Sequence, residues 1–159
     1  MSEHSETAKP GIHVLAKPIG PVCDIKCAYC FYLEKRALCD RDEQYRMPDA
    51  VLAKYIEQYV EGQPTPVVEF VWHGGEPTLL GVDFFRHVVE LQAPYRARKE
   101  IRNTLQTNAL SLDDEWCEFF KANDFFIGVS LDGPQDIHDR YRKDRHGVGT
   151  FERVMAGVQ

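Results

Sequence analysis

"VVEFVWHGGEP", residues 67–77, opens with "VVEFVW" (67–72), which is rich in β-branched and aromatic residues and stops at Gly74 and Gly75. That is the pattern of a buried strand ending in a sharp turn. Upstream, Val51, Leu52, Tyr55, Ile56, Tyr59 and Val60 recur at helical spacing, with Pro48 tolerable in a first turn and Gly62 just past the end. Downstream, Phe84, Phe85, Val88, Val89 and Leu91 repeat that spacing between Asp83, an expected N-cap, and Pro94, a stop. The scheme then recurs. "IRNTLQTN" (101–108) reads as a third, more polar strand, and "FFIGVSLDG" (125–133) supplies a fourth. Between them Ser111 and Asp114 form a capping-box pattern ahead of Trp116, Phe119 and Phe120. "IHVLA" (12–16) precedes the series as a first strand, and Phe151, Val154, Met155 and Val158 begin a last helix.

Strand–helix alternation predicts an α/β fold with a parallel sheet and right-handed crossovers, either open or part of a (β/α) barrel. About four such units fall short of a closed barrel, which takes about 250 residues. The reading is one domain over 12–159, the N-terminal portion of a TIM-like barrel that is incomplete at its C-terminus, behind a polar tail at 1–11.

Composition excludes several classes of function. With 159 residues, 43% of them hydrophobic, the chain can bury one ordinary core. A net charge of −6 gives no basic footprint for nucleic acid. No apolar run reaches the roughly 20 residues that cross a bilayer, so no membrane partner is expected. "MSEHSETAKPG" is too polar for a secretory signal, and a cytoplasmic location is expected.

In both candidate architectures ligands bind at the carboxyl ends of the strands, and the unusual residues fall there. After the first strand comes "GPVCDIKCAYCFYLEK" (20–35), with Cys23, Cys27 and Cys30 in C-x3-C-x2-C spacing. In a reducing compartment such crowding points to metal or redox chemistry rather than disulfides. Closed structural zinc sites want four ligands, usually as two pairs, and the second pair is missing. Iron–sulfur clusters also usually take four thiolates, so three would leave one iron open to a ligand. Spacing alone leaves zinc and iron–sulfur both open. Cys117, in "DDEWCEFF", reads as a small buried hydrophobe, and Cys39 as a spare thiol. At Gly74 and Gly75 the lack of side chains lets backbone approach a ligand, although an ordinary turn has the same pattern. Ser130 has the bland reading of a turn cap, Arg142 that of a solvated charge cluster, and His73 that of a structural histidine.

The cysteine spacing, its place after the first strand, and Tyr29 before the last cysteine resemble the radical S-adenosylmethionine superfamily. "CFYLEK", "GGEPTLLG", "LQTN", "LDDEWCEFF", "GVSLDGP", "IHD" and "YRKD", in that order, are similar to its anaerobic sulfatase-maturating enzymes. The resemblance implies that Cys23, Cys27 and Cys30 ligate a [4Fe-4S] cluster whose open iron chelates the amino and carboxylate groups of S-adenosyl-L-methionine. It implies that Gly74, Gly75, Glu76 and Pro77 meet the methionine amino group. Ser130 and Arg142 would contact the ribose or carboxylate side, and Tyr32 would position the adenine.

The implied reaction is reductive cleavage to a 5′-deoxyadenosyl radical. Hydrogen is then abstracted from Cβ of a Cys or Ser in a target sulfatase, giving formylglycine. The implied partners are the sulfatase peptide and a low-potential donor such as flavodoxin or ferredoxin. The catalytic base expected for this group is an Asp in a later region, so none is assigned here. His73 stands where many sulfatase maturases carry Gln, Asp24 replaces a common Asn, and Ala109 a usual Gly. Two alternatives stay open: a peptide maturase that installs thioether or carbon–carbon links, and an inactive truncated fragment that binds iron and sulfur weakly.

Overall fold

Alternation along one strand organises the architecture. The computed structural model describes residues 10–35 and 45–159. Strand β2 (Val67–Trp72) buries Val68, Phe70 and Trp72 and leaves Val67, Glu69 and Val71 half-buried on the other face. Its period of two therefore separates a helix-covered face from an uncovered one. Four parallel strands pair in the order β1 (Leu15–Ala16), β2, β3 (Glu100–Thr107) and β4 (Phe125–Val129), with register from Val67 opposite Glu100 to Trp72 opposite Leu105. Helices α2 (Asp49–Gly62), α3 (Val82–Gln92) and α4 (Asp114–Ala122) provide the crossovers. This is the α/β parallel arrangement the sequence predicts.

The covered face is aromatic. Phe70 and Trp72 stack with centroids 5.8 Å apart, and Trp72 meets Phe85 of α3 edge-on at 6.0 Å. Leu52, Ile56, Val88 and Leu105 fill the same core. Burying side chains of this size stabilises by about 1.5–3 kcal/mol each. The polar character of β3 also has a role there. Asn103 and Gln92 exchange amide hydrogen bonds (3.0 and 2.8 Å), and Trp72 Nε1 donates to Asn103 Oδ1 at 2.9 Å, so buried polar groups of three elements satisfy one another.

Several expectations are corrected. The first strand covers Leu15–Ala16 rather than 12–16, because Ile12 exchanges hydrogen bonds with the Gln63 side chain and Val14 N donates to Tyr59 Oη. Gly81, not Asp83, is the N-cap of α3. Asp113, not Ser111, caps α4, its carboxylate accepting from Trp116 N at 3.0 Å. Cys117 is exposed on α4 rather than buried. Cys39 lies outside the described residues. Three elements had no periodic signal, being short or governed by turn chemistry: helix α1 (Phe31–Lys35), a 3-10 turn at Pro77–Leu80, and helix α5 (Gln135–Tyr141). The last helix, α6, spans Phe151–Val158.

Candidate active site

A cleft of about 420 Å³ opens at the carboxyl ends of the strands. It is lined by Cys23, Cys27, Cys30, Tyr32, His73, Gly74, Gly75, Glu76, Ser130 and Arg142. Pro77 is buried at the start of the 3-10 turn and is not part of the lining. A larger hollow of about 1080 Å³ lies over the uncovered face of the sheet and contains no cysteine.

Backbone contact holds the cysteine loop in place. Gly75 N donates to Gly20 O and Glu76 N to Val22 O, each at 2.7 Å. A Cβ on Gly75 would sit 1.8 Å from Val22 O, and one on Gly74, at φ 126°, 2.9 Å from Gly20 O. Smallness at these glycines is therefore required by the neighbouring protein backbone, whatever ligand lies beyond it. On the far side of the loop, Lys26 N donates to Lys143 O at 2.7 Å and Ala28 N to Tyr141 O at 2.8 Å. Arg145 adds a bond to Cys23 O at 2.5 Å. Residues 141–145, well over a hundred positions away, thus form the outer wall of the cysteine loop.

Glu76 ties the turn after β2 to the end of β3. It is 1% exposed, and Oε1 accepts from Thr78 N (3.1 Å), Thr78 Oγ1 (2.8 Å) and Thr107 Oγ1 (2.7 Å), while Oε2 accepts from Asn108 N at 2.6 Å. Burial pushes its carboxyl above the ordinary range, and these donors pull the other way. Ser130 is set similarly: its N donates to Thr107 O at 2.9 Å and its hydroxyl accepts from Gln106 Nε2 at 2.8 Å.

Arg142 sits in a built environment rather than a solvated cluster. Its Nε donates to Asp132 Oδ1 at 2.8 Å, and its guanidinium lies 5.5 Å from the Tyr29 ring centroid and 3.8 Å (Nη1) from Cys27 Sγ. Tyr29 Oη donates to the other oxygen of Asp132 at 2.5 Å. Burial raises Asp132, but the bonds from Tyr29 and Arg142 outweigh it and hold the carboxyl below its usual range. The loop carrying Asp132 is anchored by the fully buried His138. Asp132 N donates to His138 Nδ1 at 3.4 Å, His138 Nε2 meets Thr150 Oγ1 at 3.0 Å, and that hydroxyl donates to Arg142 O at 3.0 Å. Lys17 Nζ lies 5.0 Å from the Tyr32 ring centroid, and His73 Nδ1 accepts from Gly74 N at 2.7 Å. Burial lowers the His73 pKa, keeping the ring neutral near pH 7.

The three cysteines are free thiols. Burial pushes Cys23 up to about 12 and raises Cys27 against the opposing charge of Arg142. A bound metal reverses this, since coordination takes the thiolate form. Among the described residues no three His, Cys, Asp or Glu side chains converge on a single-ion site. A four-iron cubane gives each thiolate its own iron, so its sulfurs need no common point. The donor set, all sulfur and all on one cleft, fits such a cluster. Asp132, Asn108 and Gln106 are participants that sequence reasoning did not single out. "SLDG" and "QTN" place them at strand ends, but their partners lie on distant segments.

The sequence profile described as "Radical SAM superfamily" matches residues 18–159. The serine-type anaerobic sulfatase-maturating enzyme of Bacteroides thetaiotaomicron is 45% identical over 151 residues, covering 95% of this chain and 36% of that protein. The cysteine-type enzyme of Clostridium perfringens is 37% identical over 151 residues, covering 94% of this chain and 40% of that protein. A solved structure described as native anSMEcpe with bound AdoMet and Cp18Cys peptide superposes with a TM-score of 0.82 at 35% identity, covering 94% of this chain and 39% of that one. The chain thus spans well under half the length of these relatives. Among the described residues no helix is long and apolar enough to cross a membrane.

Proposed function

Because the chain belongs to the Radical SAM superfamily, we propose that residues 12–159 form the N-terminal part of a radical S-adenosylmethionine core that serves anaerobic sulfatase maturation. The carrying observation is that Cys23, Cys27 and Cys30 share one cleft with the turn after β2, the ends of β3 and β4, and Arg142. A [4Fe-4S] cluster with S-adenosyl-L-methionine would supply a 5′-deoxyadenosyl radical on one-electron reduction.

The chain's own residues do the rest. Cys23, Cys27 and Cys30 hold the metal centre as thiolates. Glu76, fixed by its four donors, sets the Gly74–Gly75 turn at the rim of the ligand site, where the amino end of the cofactor would lie. Arg142 and Ser130 offer a cation and a hydroxyl to its carboxylate or ribose side, and Tyr32 a ring to its adenine. Pro77 stiffens the turn from behind.

The substrate reading is hydrogen abstraction from Cβ of a Cys or Ser in a sulfatase peptide, giving formylglycine. A low-potential carrier of the flavodoxin or ferredoxin kind would deliver the electron, in the cytoplasm. No residue is assigned here as the base for that reaction.

Anaerobic reconstitution with iron and sulfide tests the cofactor reading. Electron paramagnetic resonance of the reduced protein is expected to change when S-adenosylmethionine is added, and Cys27→Ala to abolish cluster uptake. An unchanged spectrum, or full iron in Cys27→Ala, overturns it. The substrate reading is tested with a longer protein containing this chain and a sulfatase peptide, by mass spectrometry for the aldehyde. A thioether or carbon–carbon crosslink instead would assign it to the other peptide maturases.

A further inference from the structure

One carboxylate stands beside the cysteine ligands without being one of them. Asp24 follows Cys23 directly, and its Oδ1 lies 3.8 Å from Cys23 Sγ, accepting from the thiol. Asn108, at the carboxyl end of β3, fixes it there: Nδ2 donates to Asp24 Oδ1 at 2.7 Å and lies 3.9 Å from Cys23 Sγ. Asn108 is itself immobilised, 5% exposed, with its N bonded to Glu76 Oε2 at 2.6 Å and its Oδ1 accepting from Leu110 N at 3.0 Å. When Cys23 binds metal it has no proton to donate, so a fixed carboxylate oxygen then faces an electron-rich sulfur in a partly desolvated cleft. Charge–charge interaction is strong in such a setting.

We infer that Asp24 is a potential-setting residue of the metal centre, and that Asn108 is the positioning residue that holds its charge against Cys23. One-electron reduction adds negative charge to the centre, and a nearby carboxylate opposes that addition. Net charge and hydrogen bonds at the sulfurs are among the levers that set iron–sulfur potentials. Asp24 therefore lowers the potential and raises the demand on the reductant. The single Asn108 amide nitrogen, placed near both the carboxylate and the sulfur, tempers the effect without removing the charge.

This inference rests on the cluster reading, and the test separates the two. The chain and its Asp24→Asn variant are reconstituted anaerobically, assayed for iron and sulfide, and titrated with dithionite while the reduced-cluster resonance is followed. Asp24→Asn keeps side-chain size and the oxygen that accepts from Asn108, so a purely structural Asp24 predicts equal iron and an equal midpoint. The expected result is equal iron and a midpoint shifted to more positive potential, with Asp24→Glu returning towards the wild-type value. Full iron with an unshifted midpoint, or a negative shift, overturns the inference and leaves the cluster reading intact. Should Asp24→Asn fail to take up iron, Asp24→Ser is read in the same titration with the same criteria. Failure of the wild-type chain itself to assemble a cluster removes both readings.

Discussion

The same strands meet two opposite environments, an aromatic layer along their covered face and a polar junction at their tips. Along the face, Phe70, Trp72 and Phe85 interlock over elements close in sequence, and the contact is non-directional. At the tips the important bonds join residues far apart: Cys23 with Asn108, Tyr29 with Asp132, Lys26 with Lys143, Glu76 with Thr107. A packed layer loses energy in proportion to the volume removed. A junction of directional contacts loses its geometry when one member moves.

The strongest challenge to this contrast is Gly75→Ala. A single added methyl collides with Val22 O, which has no side-chain freedom to yield, so the cysteine loop must shift. The expected outcome is loss of iron uptake far beyond any loss of secondary structure, measured by iron analysis beside circular dichroism. Intact uptake would show that the junction tolerates displacement as a core does.

Phe70→Ala tests the other side. It should cost about 3–5 kcal/mol in denaturant unfolding, while protein that remains folded keeps its affinity for iron.

A smaller effect is expected from Asp132→Asn, at about 1 kcal/mol from weakened charge-assisted bonds to Arg142 and Tyr29. Since Asp132 is lower in the folded protein than its ordinary 3.8, its stabilising contribution is present above that value and lost as pH falls through the folded pKa. The stability gap between wild type and variant should therefore be constant from pH 7 to 5 and close below about pH 3.8. A gap that persists in strong acid would assign the contribution to shape rather than charge. Smallest of all is Cys117→Ala. On an exposed helix position it should stay within about 0.5 kcal/mol of wild type, where a buried thiol would have cost more.

How much was legible in advance follows the same division. Val67–Trp72 emerged from its apolar run with both ends right, because burial on one face imposes a period that residue types record. Ile12–Val14 reads as strand, yet β-branched composition does not reveal that Gln63 and Tyr59 take its hydrogen bonds. Cys117 reads as buried for a related reason: its aromatic neighbours in sequence lie on a different side of α4. The cysteine trio and Gly-Gly turn were visible as motifs, but the reason for the glycines was not. They accommodate Val22 and Gly20 of the cysteine loop itself.

Local chemistry alone was enough to specify a parallel α/β chain with three thiols at a strand end, since periodicity and spacing are properties of neighbours. Which groups from beyond the cysteine loop surround those thiols was decided only when β3, β4 and α5 came together. Asn108, Asp132 and Arg142 act through directional contacts of a few ångströms, and linear order carries no record of such distances between segments that only folding makes adjacent.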